Sequence, residues 1–369
     1  MTTINSRQLI QNAFLRQPTP RIPVMPQICY DLAIQIEAVE KHFDWRAAYR
    51  DCAENPKLTY DYVLKLAERT GCDGVRLFAL PDSLKAHFDG NDVIVLDPKT
   101  NNRIGKLDLH GGGDFIPDQQ TKPIGSLQDA KIRLQNLVND LTDTKLQLLA
   151  EYRQKAQHLF VATAPGGITM NTYCDLRGRE QAMIDFYERP DFVSAVMDMQ
   201  ADAIIERSEK LIKTGVDAFY IGDPAASASL IHPKHFEQFC LPAYQKFCRH
   251  FRDRILIYIH ICGNSSPLLE MLAETGAHTI EPLDPLGPVE VWDAKKRVGK
   301  KVALMGGVNT LTMCDKSANE VTAEAIQKCK EGGPTGYILA AGDMVPANSP
   351  IENLQALVDV ARYSLWKST

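Results

Sequence analysis

The chain has 369 residues, 44% hydrophobic and 24% charged, with a formal net charge of −5 at pH 7. That is the composition of an ordinary globular protein, and its acidic balance excludes an electrostatic footprint for nucleic acid. No apolar run approaches the roughly 20 residues of a membrane span, and the stretch Met1 to Arg16 lacks the apolar core of a signal peptide, so an unprocessed cytoplasmic protein is expected.

Past an N-terminal helical extension over about residues 1–20, short apolar runs recur, most of them followed by a helical pattern. Ile22-Pro-Val-Met-Pro-Gln-Ile28 is the first candidate strand. A helix through Leu58 to Arg69 leads into the second, Asp73-Gly-Val-Arg-Leu-Phe78. Asp92–Asp97 and Gly105–Leu109 flank the turn residues Asn101-Asn102 and read as a hairpin. It is placed as an insertion over about residues 90–118, after the second strand, as a lid on one side of the mouth. Gly111-Gly-Gly113 follows directly, and its hairpin context argues against a nucleotide loop. Helical sequence from Lys122 to Gln157 returns the chain to the third strand, Leu159–Thr163. An amphipathic run from Asp191 to Lys213 precedes the fourth, Asp217–Ile221. The fifth lies within Ile255–Gly263, the sixth in His278–Pro282, the seventh in Val302–Met305 and the eighth in Tyr337–Ala340. Glycines at 71, 215 and 276 stand where helices end before strands begin.

Alternating strands and helices predict an α/β fold with a parallel sheet. Eight of them predict a (β/α)8 TIM barrel, a single domain over residues 1–369 with the small hairpin insertion. The alternative is an open doubly wound sheet. It is weakened because no Gly-x-Gly-x-x-Gly follows an early strand.

In such a barrel the chemistry sits at the C-terminal ends of the strands. The fifth strand ends in His260-Ile-Cys262. Residues i and i+2 of a strand share a face, so imidazole and thiolate can converge on one point, a pairing that suits zinc. The plainer alternative is a satisfied core histidine beside a buried cysteine. Neighbouring strand ends add Asp223, then Glu281 and Asp284, then Asn309, then Asp343. Asp223 reads either as a group that holds substrate or as a cap for the turn into Pro224. Asn309 is a candidate hydrogen-bond donor to a bound oxygen. Tyr258 reads as core, His232 and His235 as solvated. Met25, Met170 and Phe78 are candidate apolar walls for a ring-bearing substrate. The nine cysteines lack framework spacing and are expected to be reduced, with Cys29 and Cys174 as packing thiols.

His260-Ile-Cys-Gly-Asn264, Ile280-Glu-Pro-Leu-Asp-Pro285, Met305-Gly-Gly-Val-Asn309 and Ile338-Leu-Ala-Ala-Gly-Asp343 together resemble the uroporphyrinogen decarboxylase superfamily. They are most similar to its corrinoid-dependent methyltransferase branch. The resemblance spans Arg7 to Arg362, weakly before residue 150. It implies zinc held by His260 and Cys262, with a strand-six carboxylate, Glu281 or Asp284, completing the shell; Glu281 sits nearer the strand end. The branch's distant cysteine ligand falls on Asp343, a departure that turns the expectation away from thiol methylation. One thiolate with carboxylates makes zinc a better Lewis acid toward an ether oxygen. The resemblance therefore implies a zinc-dependent methyltransferase of an O-demethylase system. It would move methyl from a small methoxylated compound, such as an aryl methyl ether, to a corrinoid (cobalamin) on a partner protein. Catalytic roles are expected for Asp343, Asp223 and Asn309, and a homodimer is compatible with the chain. The alternatives are a methylcorrinoid:thiol methyltransferase, a decarboxylase, or a non-catalytic tetrapyrrole-binding barrel. The decarboxylases' arginine cluster is missing from Pro26–Asp31.

Overall fold

The computed structural model describes residues 4–109, 113–119 and 121–363. The first strand, β1 (Gly74–Arg76), precedes four short ones, β2 (Lys85–Asp89), β3 (Asp92–Leu96), β4 (Arg103–Asp108) and β5 (Asp114–Pro117). Then come β6 (Phe160–Thr163), β7 (Ala218–Gly222), β8 (Leu256–His260), β9 (Thr279–Leu283), β10 (Ala303–Val308) and β11 (Tyr337–Ala341). Strands β1 and β6 to β11 form one parallel sheet in sequence order, separated by helices; its curl is consistent with a TIM-like barrel. Strands β2 to β5 form a separate antiparallel sheet. The two runs expected to make a hairpin are β3 and β4, the middle pair of that sheet. Of Gly111-Gly-Gly113, only Gly113 lies within the described residues.

The expected first strand, Ile22–Ile28, departs from regular strand geometry. Pro23 and Pro26 have no amide hydrogen to give to a ladder. The segment instead makes isolated parallel bridges, Val24 to Leu339 and Gln27 to Met344. The Val24 carbonyl also accepts from the Asp73 amide at the foot of β1. One irregular segment thus meets both edges of the seven-stranded sheet.

The strands divide their side chains by the period of two. Val161, Phe219, Ile257, Ile259 and Leu339 pack outward beneath the helices. Phe160, Ala162, Ala218, Tyr258, Met305 and Ile338 form an inner cluster on the opposite face. The N-terminal helix Ser6–Phe14 closes one end of that cluster: the Phe14 ring lies 5.3 Å from Phe160 and 5.7 Å from Tyr258. His260 is two residues beyond Tyr258 and inherits its inward direction.

Local signals explain the helices around the sheet. Ser126 and Asp129, and likewise Ser317 and Glu320, form capping boxes at the helices Leu127–Asn139 and Ala318–Gly332. Gly71 and Gly215 take left-handed backbone (φ of 79° at both), which lets the chain leave a helix and turn into β1 and β7. Among the described residues no helix is long and apolar enough to cross a membrane.

Candidate metal centre

His260 ends β8 with 3% of its surface exposed, and Cys262 follows in the loop that begins at Ile261. Asp343 lies just beyond the end of β11. The ligand atoms of His260, Cys262 and Asp343 all lie within 4.8 Å of one another, and His260 Nε2 is 3.4 Å from Asp343 Oδ1. Donors bound tetrahedrally to one zinc ion are separated by about 3.3–3.8 Å, given metal bonds of about 2.0–2.3 Å. The three groups therefore fit zinc after an inward adjustment of a fraction of an ångström to an ångström. A nitrogen, a sulfur and an oxygen donor also suit it chemically.

The orientation of His260 is set from behind. His260 and Glu281 are register partners on β8 and β9, and Glu281 Oε2 lies 2.6 Å from His260 Nδ1. Glu281 Oε1 accepts from Arg76 Nη2 at 2.6 Å. Burial alone would push the Glu281 carboxyl up; Arg76 and His260 outweigh it and hold the group down at about 2. A carboxylate accepting from Nδ1 leaves the Nε2 lone pair free for a metal, the usual carboxylate–histidine arrangement. Glu281 was expected among the ligands. Both its oxygens are engaged, so it stands behind His260 rather than among the converging atoms.

Arg76 was not singled out from sequence. Its side chain is 4% exposed, its Nε donates to Tyr258 Oη at 3.0 Å, and its guanidinium lies 4.3 Å from the Tyr220 ring centre. A charged residue in the middle of the apolar run Gly74-Val-Arg-Leu77 was the available signal. Tyr220 in turn lies beside the His260 ring at 5.3 Å and stacks on Phe78.

Burial pushes the Cys262 thiol up to about 12, and Asp343 adds to the rise. Cys262 acts as a thiolate ligand only if a cation displaces its proton.

The remaining candidates hold the surrounding loops. Asp284 accepts from the amides of Gly263 at 3.1 Å and Leu286 at 2.9 Å, tying the loop after β8 to that after β9. Asp223 is fully buried and accepts from the Thr169 amide and hydroxyl, the Asn171 amide and Tyr244 Oη at 2.5–2.9 Å. Asn309 caps the short helix Thr310–Asp315, its side chain accepting from the Leu311 amide at 2.8 Å. Of the expected walls, Met25 and Met170 are buried in the core, whereas Phe78 is exposed beside Tyr220. Cys29 Sγ lies 3.0 Å from Met344 Sδ, next to the candidate ligand Asp343.

A family model described as uroporphyrinogen decarboxylase (URO-D) matches residues 121–363. The chain is 28% identical over 172 residues to a methylcobamide:CoM methyltransferase of Methanosarcina barkeri, covering 46% of this chain and 49% of that protein. That sequence match thus spans about half the length of the methylcobamide:CoM methyltransferase. The chain is 24% identical over 365 residues to a uroporphyrinogen decarboxylase of Ruthia magnifica, covering 95% of this chain and 96% of that protein. A solved structure of a methyltransferase from Methanosarcina mazei superposes with a TM-score of 0.69 at 20% identity, covering 98% of this chain and 99% of that one. That likeness concerns the fold.

Proposed function

Because the chain belongs to the uroporphyrinogen decarboxylase (URO-D) family, we propose that its converging histidine, cysteine and aspartate serve a corrinoid-dependent methyl transfer. The methyl group comes from a small methoxylated compound and goes to cobalamin carried by a partner corrinoid protein. The observation that carries this reading is the donor set of His260, Cys262 and Asp343 within 4.8 Å. It combines one sulfur with an oxygen where the thiol-methylating relatives are expected to hold a second sulfur.

His260, Cys262 and Asp343 would hold zinc, which when bound supplies Lewis acidity toward a leaving oxygen. The chain's other residues position these groups. Glu281 keeps His260 in the tautomer with Nε2 unprotonated. Arg76 neutralises Glu281, so that carboxylate adds no net charge to the buried site. With a cation bound, Cys262 and Asp343 would contribute a thiolate and a carboxylate beside the His260 imidazole, a donor set that suits a divalent ion.

A second reading, transfer from methylcorrinoid to a thiol, is favoured by the likeness to the Methanosarcina barkeri methylcobamide:CoM methyltransferase. The test mixes zinc-loaded protein with a cob(I)alamin-loaded corrinoid protein and a panel of methoxylated compounds, following the corrinoid spectrum. Conversion to methylcorrinoid supports the proposal. Methylation of a thiol from methylcobalamin, with no donor demethylated, supports the second reading and rejects the first.

A further inference from the structure

Beside the candidate metal centre lies a cavity of about 660 Å³. It is lined by the helices Tyr30–Lys41, Trp45–Glu54 and Lys57–Thr70 on one side and, on the other, by the antiparallel sheet through Leu107 and Phe115 and by Leu84 just before β2. Arg76 and Met344 belong to its wall. Arg76 holds Glu281, which holds His260, and Met344 follows Asp343, so the cavity adjoins the candidate ligands. Its size falls within the roughly 300–1,000 Å³ of small-molecule sites.

The wall chemistry narrows the occupant. Tyr30, Tyr49, Tyr60 and Phe78 present aromatic surface. Two residues of the wall each carry a buried polar atom without a hydrogen-bond partner: Arg76 Nη1, a donor, and Asp31 Oδ1, an acceptor. Asp31 is 6% exposed. Buried polar atoms are rarely left unpaired, so these two call for a ligand or water with one acceptor and one donor. Arg76 is the only Lys or Arg among the described wall residues, and Glu281 already matches its charge. Asp31 and Asp114 are further carboxyl groups of the wall.

We propose that this cavity seats an uncharged, single-ring methoxylated compound that also carries a hydroxyl, and that it disfavours ring carboxylates. The hydroxyl donates to Asp31, an oxygen of the ligand accepts from Arg76 Nη1, and the ring lies among the tyrosines. This rests on the methyl-transfer reading above and names the donor's class. An acid ligand meets Asp31 and Asp114 with no unmatched cation in the wall. Aromatic rings and acidic groups also suit a quaternary ammonium ion, but such a ligand offers Arg76 no acceptor and brings a second cation to it.

The test is isothermal titration calorimetry of the zinc-loaded full chain, without corrinoid, against 2-methoxyphenol, 2-methoxybenzoate and tetramethylammonium. 2-Methoxyphenol is expected to bind at least about tenfold more tightly than the other two, the scale of one well-made buried polar contact. Asp31→Asn should shrink its lead over 2-methoxybenzoate. Ala53→Trp, which fills the cavity from its wall, should abolish binding; circular dichroism confirms that both variants fold, and should Ala53→Trp not fold, Ala79→Phe replaces it. Equal or tighter binding of 2-methoxybenzoate or tetramethylammonium overturns the proposal, as does failure of 2-methoxyphenol to bind. Binding that survives the cavity-filling substitution overturns it too. Selective binding of 2-methoxyphenol without methyl transfer to cob(I)alamin upholds the cavity's specificity and rejects the reaction assigned above. Transfer from methoxybenzoates in preference does the reverse.

Discussion

His260 Nδ1 and Glu281 Oε2 lie 2.6 Å apart on adjacent strands, which turns His260 Nε2 toward Asp343. The direction of the imidazole is therefore built into the pairing of β8 with β9. A cation has only to draw in Cys262 and Asp343.

The purified protein is expected to hold about one zinc per chain, as a three-residue site of this chemistry would. His260→Ala and Cys262→Ala should each lose most of it while keeping the native circular dichroism. Metal analysis decides: equal zinc in wild type and both variants rejects the site.

Glu281→Gln removes the countercharge of a buried arginine. Breaking a buried ion pair costs about 3–5 kcal/mol, and loss of the carboxylate behind a histidine ligand weakens metal affinity about 10–100-fold. Thermal melts and chelator competition measure the two separately. Adding Arg76→Met should recover much of the stability and none of the zinc affinity.

Asp343→Cys replaces an oxygen donor by sulfur. Zinc should resist chelators better, and demethylation of a methoxylated donor should slow, because a second thiolate lowers the metal's Lewis acidity. A faster demethylase would contradict the role given to Asp343.

Asp223→Ala strands the amides of Thr169 and Asn171 in a buried loop. A loss of about 1–3 kcal/mol or more is expected, with zinc content unchanged. A variant of native stability that loses zinc would instead place Asp223 in the metal site.

Asp185 supplies the pH prediction. Burial raises its carboxyl, but hydrogen bonds from Arg177, Tyr173 and Gln181 outweigh it and hold the group below its usual range. A depressed carboxylate contributes stability that is present above its unfolded value, about 4, and lost as pH falls through the folded value. Asp185→Asn should thus lower Tm at neutral pH, with the gap to wild type closing as the pH drops below about 4. A gap that stays constant with pH would show the loss to be one of packing.

The strands of the parallel sheet were legible because both their faces are buried, so each reads as a short continuous apolar run between helices. His260 and Cys262 could be paired because residues two apart on a strand share a face. Placing Asp343 with them took the family resemblance, since its strand end is remote in sequence. The Arg76–Glu281 pair was hidden: 205 positions separate the two residues, and no local pattern marks a contact across the sheet. Asn309 was open to two readings because an asparagine after a strand serves a helix N-cap as readily as a ligand, and its side-chain oxygen does take the cap. Ile22–Ile28 had the apolar content of a strand, but its two prolines withheld the amides a ladder needs. β2 and β5 are largely exposed, so no apolar alternation announced them.

Asp343 and Met344 join two places with one peptide. The Asp343 carboxylate accepts from the Met344 amide at 2.8 Å, while the Met344 side chain lines the neighbouring cavity. A guest that shifts this peptide would change the aim of the carboxylate and so the grip on the metal. To the extent that the two are coupled in this way, thermodynamic reciprocity requires each to alter the other's affinity by the same factor.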